Sequence, residues 1–78
     1  METPAQRLGA LIHRKRTDRD PQLTQAGLGD LIGKPQAVIS RWEHGRRMPD
    51  GDTLAALVRV LGITPEELHE VYTAEAVA

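Results

Sequence analysis

The stretch from Leu23 to Gly45, LTQAGLGDLIGKPQAVISRWEHG, has small, apolar and glycine residues at intervals that fit two short helices joined by a tight turn. Counting from Gln25, a small residue comes fifth and a glycine ninth. Apolar residues come fourth, eighth, fifteenth and eighteenth, namely Leu28, Ile32, Ile39 and Trp42. Apolar residues at helical intervals line the buried face of a helix. The pattern therefore predicts a helix-turn-helix unit.

Two glycines in this stretch have separate geometric roles. Helices that cross at about 90–120° over a turn of three or four residues bring their backbones close near the fifth position. A large side chain would hold the backbones apart there, and Gly29 occupies this position. The chain must then leave the first helix through a left-handed residue, which glycine adopts without steric penalty. We expect Gly33 to form that corner.

Capping residues predict the positions of the other helices. Thr3 can cap helix 1, with Gln6 closing a capping box, and this helix runs to about Arg16. The remaining caps are Thr24 for helix 2, Asp50 for helix 4, which Gly62 ends, and Thr64 for helix 5. The 78 residues suffice for one domain. We expect an all-α, compact five-helix domain over residues 1–73, and a frayed C-terminal tail over residues 74–78.

Composition excludes several classes of function. Without cysteine, the chain has neither disulfides nor thiolate metal ligands. The three histidines lack the spacing of a helical zinc pair, and no serine–histidine–acid set is evident, so we expect no metal, no cofactor and no enzymatic activity. The apolar runs are too short for a membrane span, and METPAQ lacks the layout of a secretion signal. We expect a cytoplasmic protein.

Charge is distributed unevenly along the chain. Residues 1–47 hold nine lysines or arginines and five acids, giving +4, whereas residues 48–78 hold one arginine and six acids, giving −5. These add to the net charge of −1. Because surface fields fall off over roughly 10 Å at moderate salt, a polyanion responds to the local face rather than to the total. The basic half contains the helix-turn-helix, although the same charges can also serve only to solvate a small domain.

In this order of motifs the chain resembles the DNA-binding domain of the phage repressor and Cro family, which also occurs in bacterial regulators. The resemblance covers about Leu8 to Leu68 and includes LTQ, ISRWE, a glycine followed by two arginines, and the ending LGI. It implies a lambda-repressor-like fold that inserts helix 3 into the major groove. The family usually has an apolar residue after the turn glycine and a Ser or Thr cap on helix 3, where this chain has Lys34 and Pro35. We expect Lys34 to act as a weak cap and Pro35 as the first helical residue.

The resemblance, together with the chemistry of the major groove, gives a set of candidate contacts. Gln36 can pair with adenine, and Arg41 with guanine or a phosphate. The predicted base-reading residues are Gln36, Ala37, Ser40 and Arg41, and those that contact the DNA backbone are Gln25, Lys34, Arg46 and Arg47. Gln25 can also support Gln36 from the side. The alternative is an ordinary solvated helix face.

Two further residues have predicted structural roles. Glu43 resembles the family's acid that pairs with an arginine of helix 1, and Arg16 is the first choice of partner, with Arg14 the second. We expect this pair to be partly exposed and therefore weak. Trp42 lies on the apolar side of helix 3, which favours a place in the core over stacking on a base.

The sequence thus predicts a sequence-specific, double-stranded-DNA-binding transcriptional regulator of repressor type. We expect it to be of bacterial or phage origin and to act in the cytoplasm, associated with the nucleoid. One reading helix covers only part of a turn of DNA, so we expect a homodimer on a near-palindromic operator, with no small-molecule ligand. Helix 5 and the tail, with Val71, Tyr72 and Val77, are the candidate dimer contact. Two alternatives stay open: the DNA-binding antitoxin of a toxin–antitoxin pair, and a helical protein-interaction module that kept the fold.

Overall fold

The computed structural model describes residues 2–73 and folds them into five helices, with no strand in this range. Their bounds are α1 Pro4–Thr17, α2 Gln25–Ile32, α3 Gln36–Glu43, α4 Gly51–Leu61 and α5 Pro65–Thr73. The predicted all-α, five-helix fold is confirmed. The predicted tail, residues 74–78, lies outside the described residues.

The predicted caps form as side-chain hydrogen bonds at the helix starts. The backbone N–H of Gln6 donates to Thr3 Oγ1 at 3.2 Å, and Gln6 Oε1 accepts from the Thr3 N–H at 2.8 Å. Thr64 and Glu67 make the same reciprocal pair at 2.9 and 3.1 Å. Thr24 and Asp50 cap α2 and α4 through single bonds. Each cap stabilises its helix by about 1 kcal/mol.

The start of α3 differs from the prediction. Pro35 has φ −65° and ψ 152°, which is extended, so it is the N-cap and Gln36 is the first helical residue. The fixed φ of proline suits both conformations, and ψ decides between them. Lys34 does not cap the helix; the Pro35 carbonyl accepts from the N–H groups of Val38 and Ile39 at 3.0 and 3.4 Å.

The core lies between α1, α2, α3 and α4, where α1 and α2 each pack against α3 and α4. Five side chains are fully buried there, namely Leu8, Ile12, Leu28, Ile39 and Leu57. Trp42 is only 4% exposed and packs with them, which leaves its ring inaccessible to a stacked base. Val71 anchors α5 in the same core, whereas Tyr72 is half exposed.

Three glycines lie where two backbone segments approach closely or where the chain turns. A Cβ at Gly29 would overlap the carbonyl oxygen of Lys34, which confirms the predicted need for a small residue. The close neighbour is the backbone of the turn. Gly33 has φ 73° and forms the predicted left-handed corner. Gly9, which the sequence analysis did not single out, lies against α3, and a Cβ there would overlap the carbonyl oxygen of Trp42.

Ion pairs fasten α5 to α1. Glu67 lies 2.9 Å from Lys15 Nζ and 3.4 Å from Arg14 Nη2. The backbone N–H of Thr64 and the ammonium of Lys15 lower the pKa of Glu67 to about 2. Arg14, the second choice as partner of Glu43, is therefore engaged on the other side of the bundle.

Candidate nucleic-acid interface

The four predicted base-reading residues share one face of α3. Gln36, Ala37 and Arg41 are exposed and Ser40 is half-buried. The opposite face of the helix carries Ile39 and Trp42 into the core, so this second helix of the pair is held by its apolar side and presents a polar side to solvent.

Beneath that face, Arg16 of α1 and Glu43 of α3 form a bidentate ion pair. Arg16 Nε donates to Glu43 Oε2 at 2.7 Å, and Arg16 Nη2 donates to Oε1 at 2.9 Å. Their side chains are only 9% and 5% exposed. The expectation of a partly exposed pair is therefore wrong, because the close approach of α1 to α3 at Gly9 covers the two groups.

Glu43 accepts several hydrogen bonds at this position. Besides Arg16, it accepts from Gln25 Nε2 at 3.0 Å, and His13 Nδ1 lies 3.0 Å away. Burial raises the pKa of Glu43, but the hydrogen bonds from Arg16, Gln25 and His13 and the charge of Arg16 outweigh burial and hold that pKa below its ordinary value. Glu43 is thus ionised at neutral pH, and an ionised carboxylate only accepts hydrogen bonds.

Because the Glu43 carboxylate only accepts hydrogen bonds, it fixes the orientation of two side-chain amides in succession. Gln25 must turn its NH₂ toward Glu43, which leaves its Oε1 to accept from Gln36 Nε2 at 3.0 Å. Gln36 must then turn its NH₂ toward Gln25. One N–H of Gln36 and its carbonyl oxygen stay free on the exposed face, which is the donor and acceptor pair that adenine N7 and N6 require. The ion pair to α1 thereby orients a side chain at the start of α3.

Nine of the ten basic side chains fall into two groups, and the tenth, Arg59, is exposed on α4. Five make contacts within the bundle: Arg7 to Val71 O, Arg14 and Lys15 to Glu67, Arg16 to Glu43, and Arg19 to Val60 O. Within residues 2–73, no ion pair or side-chain hydrogen bond involves Arg41, Arg46 or Arg47. Hydrogen bonds from Thr53 lower the pKa of Asp50, and the charge of Lys34 adds to this effect.

Two depressions beside α3 are bordered by four basic residues, namely Lys34, Arg41, Arg46 and Arg47. Lys34, Arg41 and Arg47 border the first. Arg41 and Arg46 border the second with Ser40 and His44. Arg41 is common to both, so four basic side chains flank the exposed face of α3, and the arrangement can hold an extended polyanion.

Sequence reasoning missed three residues that shape this surface. His13 contacts Glu43, and its position three residues before Arg16 placed it on the same face of α1. His44 continues the exposed face of α3 at four residues after Ser40. Gly9 left no signal, because its neighbour Trp42 is distant in sequence.

Residues 2–73 lack the features of a metal site and of a membrane span. This range contains no group of three or more His, Cys, Asp or Glu side chains that could hold a metal ion. None of its helices is long and apolar enough to cross a membrane.

Comparison with known proteins agrees with this architecture. Residues 16–68 match the family described as helix-turn-helix. Over 63 residues the chain is 33% identical to "Repressor protein C2" of Salmonella phage P22, an alignment that covers 81% of this chain and 28% of that protein. The chain therefore spans less than a third of the length of this relative. No solved structure matches the chain significantly. By its fold and by these matches, the chain belongs to the helix-turn-helix family of phage repressor and Cro type.

Proposed function

We propose that the protein is a sequence-specific, double-stranded-DNA-binding transcriptional regulator that acts as a repressor and inserts α3 into the major groove. The observation that carries the proposal is a cluster of four basic residues around the exposed face of α3. Arg41, Arg46 and Arg47 make no ion pair within residues 2–73, and with Lys34 they flank the exposed face of α3. A surface that only solvates a small domain has no need to gather four cations around one helix.

The roles of the individual residues follow from their positions. Gln36, with its amide already oriented by Gln25, reads adenine, and Arg41 reads guanine. Ala37 contacts a thymine methyl group, and Ser40 donates to or accepts from the adjacent base or backbone. Lys34, Arg46, Arg47 and Gln25 bind phosphates, which fix the position of the domain on the duplex.

Selection of bound duplexes from a random pool at near-physiological salt tests the proposal. We expect a near-palindromic sequence to be recovered. Weak and salt-insensitive association with every duplex would instead favour a protein-interaction module. Co-purification with a toxic partner would indicate an antitoxin, a protein that would also bind DNA through this surface.

Substitution of two arginines should separate base reading from phosphate binding. We expect Arg41→Ala to weaken binding to the selected duplex by about 1–3 kcal/mol and to relax the preference at one or two base pairs. Arg46→Ala should weaken all duplexes similarly. Titration of both variants against matched and scrambled duplexes measures this. An unchanged base preference in Arg41→Ala would remove Arg41 from the base-reading set.

A homodimer is expected to require a fixed spacing of half-sites. Helix-turn-helix dimers place their reading helices one turn apart, about 10–10.5 base pairs. Five inserted base pairs would put the second half-site on the opposite face, so affinity should fall to that of a single half-site. With about four phosphates bound per subunit, log-affinity should fall with log-salt at a slope near −7. Undiminished affinity after the insertion would identify a monomer as the binding unit.

The structure changes the candidate dimer contact. The Val71 side chain is only 3% exposed and packs in the core, so it is not available to a partner. Tyr72 is 48% exposed and remains the candidate on α5. Val77 lies outside the described residues.

A further inference from the structure

His44 extends the exposed face of α3 beyond the residues proposed to read bases. It lies four residues after Ser40 and eight after Gln36, so the helical period places the three on one side. Its side chain is exposed and borders the depression lined by Ser40, Arg41 and Arg46. The proposed base and backbone contacts leave this imidazole without a role.

Helix geometry places His44 near the edge of the major groove. At a rise of about 1.5 Å per residue, it lies roughly 12 Å along the axis from Gln36, which is about the width of the groove. In helix-turn-helix proteins the N-terminal residues of the second helix contact the base edges. When Gln36 lies over a base, His44 therefore reaches the sugar-phosphate backbone.

A hydrogen bond within α3 fixes the tautomer of the His44 ring. Nδ1 lies 2.8 Å from the carbonyl oxygen of Ser40, and since a carbonyl only accepts, Nδ1 carries the hydrogen. The neutral ring then presents Nε2 as an acceptor, which does not bind a phosphate oxygen. Protonation places a second N–H at Nε2 and adds a positive charge.

The charged groups around His44 differ between its two sides. Arg41 and Arg46 border it in the depression beside the reading face. Glu2 and Glu43 border it in a second depression, with Gln6 of α1. The Glu43 carboxylate is already bound to Arg16 and Gln25. The positive side of His44 is thus the side that continues the proposed DNA surface.

We propose that His44 is a protonation-dependent phosphate contact, whose imidazolium joins Arg46 in holding one phosphate at the edge of the groove. Histidine is the side chain that ordinarily changes its charge between about pH 5 and pH 8, so DNA affinity should rise as pH falls through that range. This inference rests on the proposed DNA-binding function.

Titration of the selected duplex at about pH 6 and about pH 8 tests the inference. We expect affinity per subunit to be about five- to tenfold higher at the lower pH, because a charge-assisted hydrogen bond is gained. The slope of log-affinity against log-salt should steepen by about 0.9 per subunit, as for one more neutralised phosphate. His44→Gln should remove both effects. His44→Arg should bind tightly at both pH values, with the steeper slope.

His69→Gln is the matched control, because His69 lies on α5 beside Pro65, Glu66 and Glu70, away from α3. It should keep the pH dependence of the unmodified protein. A pH dependence that persists in His44→Gln, or that is absent from the unmodified protein, overturns the inference and leaves DNA binding intact. Failure of the unmodified protein to bind any duplex at either pH refutes the proposed function itself.

Discussion

Replacing Glu43 with alanine is expected to lower the free energy of unfolding by about 3–4 kcal/mol, because it leaves the Arg16 guanidinium buried without its carboxylate. For a domain of this size, that loss corresponds to a fall in melting temperature of roughly 12–32 °C. Affinity for the selected duplex should fall as well, since Gln25 loses the acceptor that orients it toward Gln36. Thermal denaturation followed by circular dichroism measures the first effect.

Two controls separate stability from positioning. Glu67→Ala breaks a more exposed link between α1 and α5 and should shift the melting temperature much less. The double replacement Arg16→Met with Glu43→Leu fills the same volume with apolar groups and should recover most of the lost stability. Its affinity should nevertheless stay about tenfold low, because no acceptor for Gln25 is restored. A melting temperature that is unchanged in Glu43→Ala would contradict the buried pair.

The parts of the fold that could be predicted depend on residues close in sequence. The capping boxes at Thr3 and Thr64 require only a partner three residues away. The corner at Gly33 depends on one φ angle that only glycine adopts readily. The exposed face of α3 could likewise be predicted from helical periodicity, because it depends only on residues within that helix.

The errors arose where the structure depends on contacts between distant segments. The burial of Arg16 and Glu43 follows from how closely α1 approaches α3, which no local pattern encodes. Val71 fits both a core and a partner surface by sequence, and only the packing of α5 decides between them. The start of α3 is a separate, local case: Pro35 suits both an N-cap and a first helical position, so the residue type alone does not decide its ψ.

The approach of α1 to α3 is itself testable at Gly9. A Cβ at this position would overlap the carbonyl oxygen of Trp42 and lie 2.9 Å from that of Glu43. Both neighbours are backbone atoms and cannot rotate away, so Gly9→Ala should destabilise the domain by about 3 kcal/mol, the upper end of the usual cost of overpacking. The gain of about 1 kcal/mol in helix propensity is too small to offset this. Denaturant unfolding measures the net change.

Gly51→Ala provides the matched comparison, because a Cβ there meets nothing within 4 Å. It should leave stability unchanged or raise it by about 0.4–1 kcal/mol through the lower entropy of the unfolded chain. In Gly9→Ala the helices must separate, so the distance between Arg16 and Glu43 increases and the support of Gln25 and Gln36 weakens. Molecules of Gly9→Ala that remain folded at low temperature should therefore also bind the selected duplex less tightly. If Gly9→Ala is as stable as Gly51→Ala, the two backbones do not meet at Gly9, and the burial of the ion pair needs another cause.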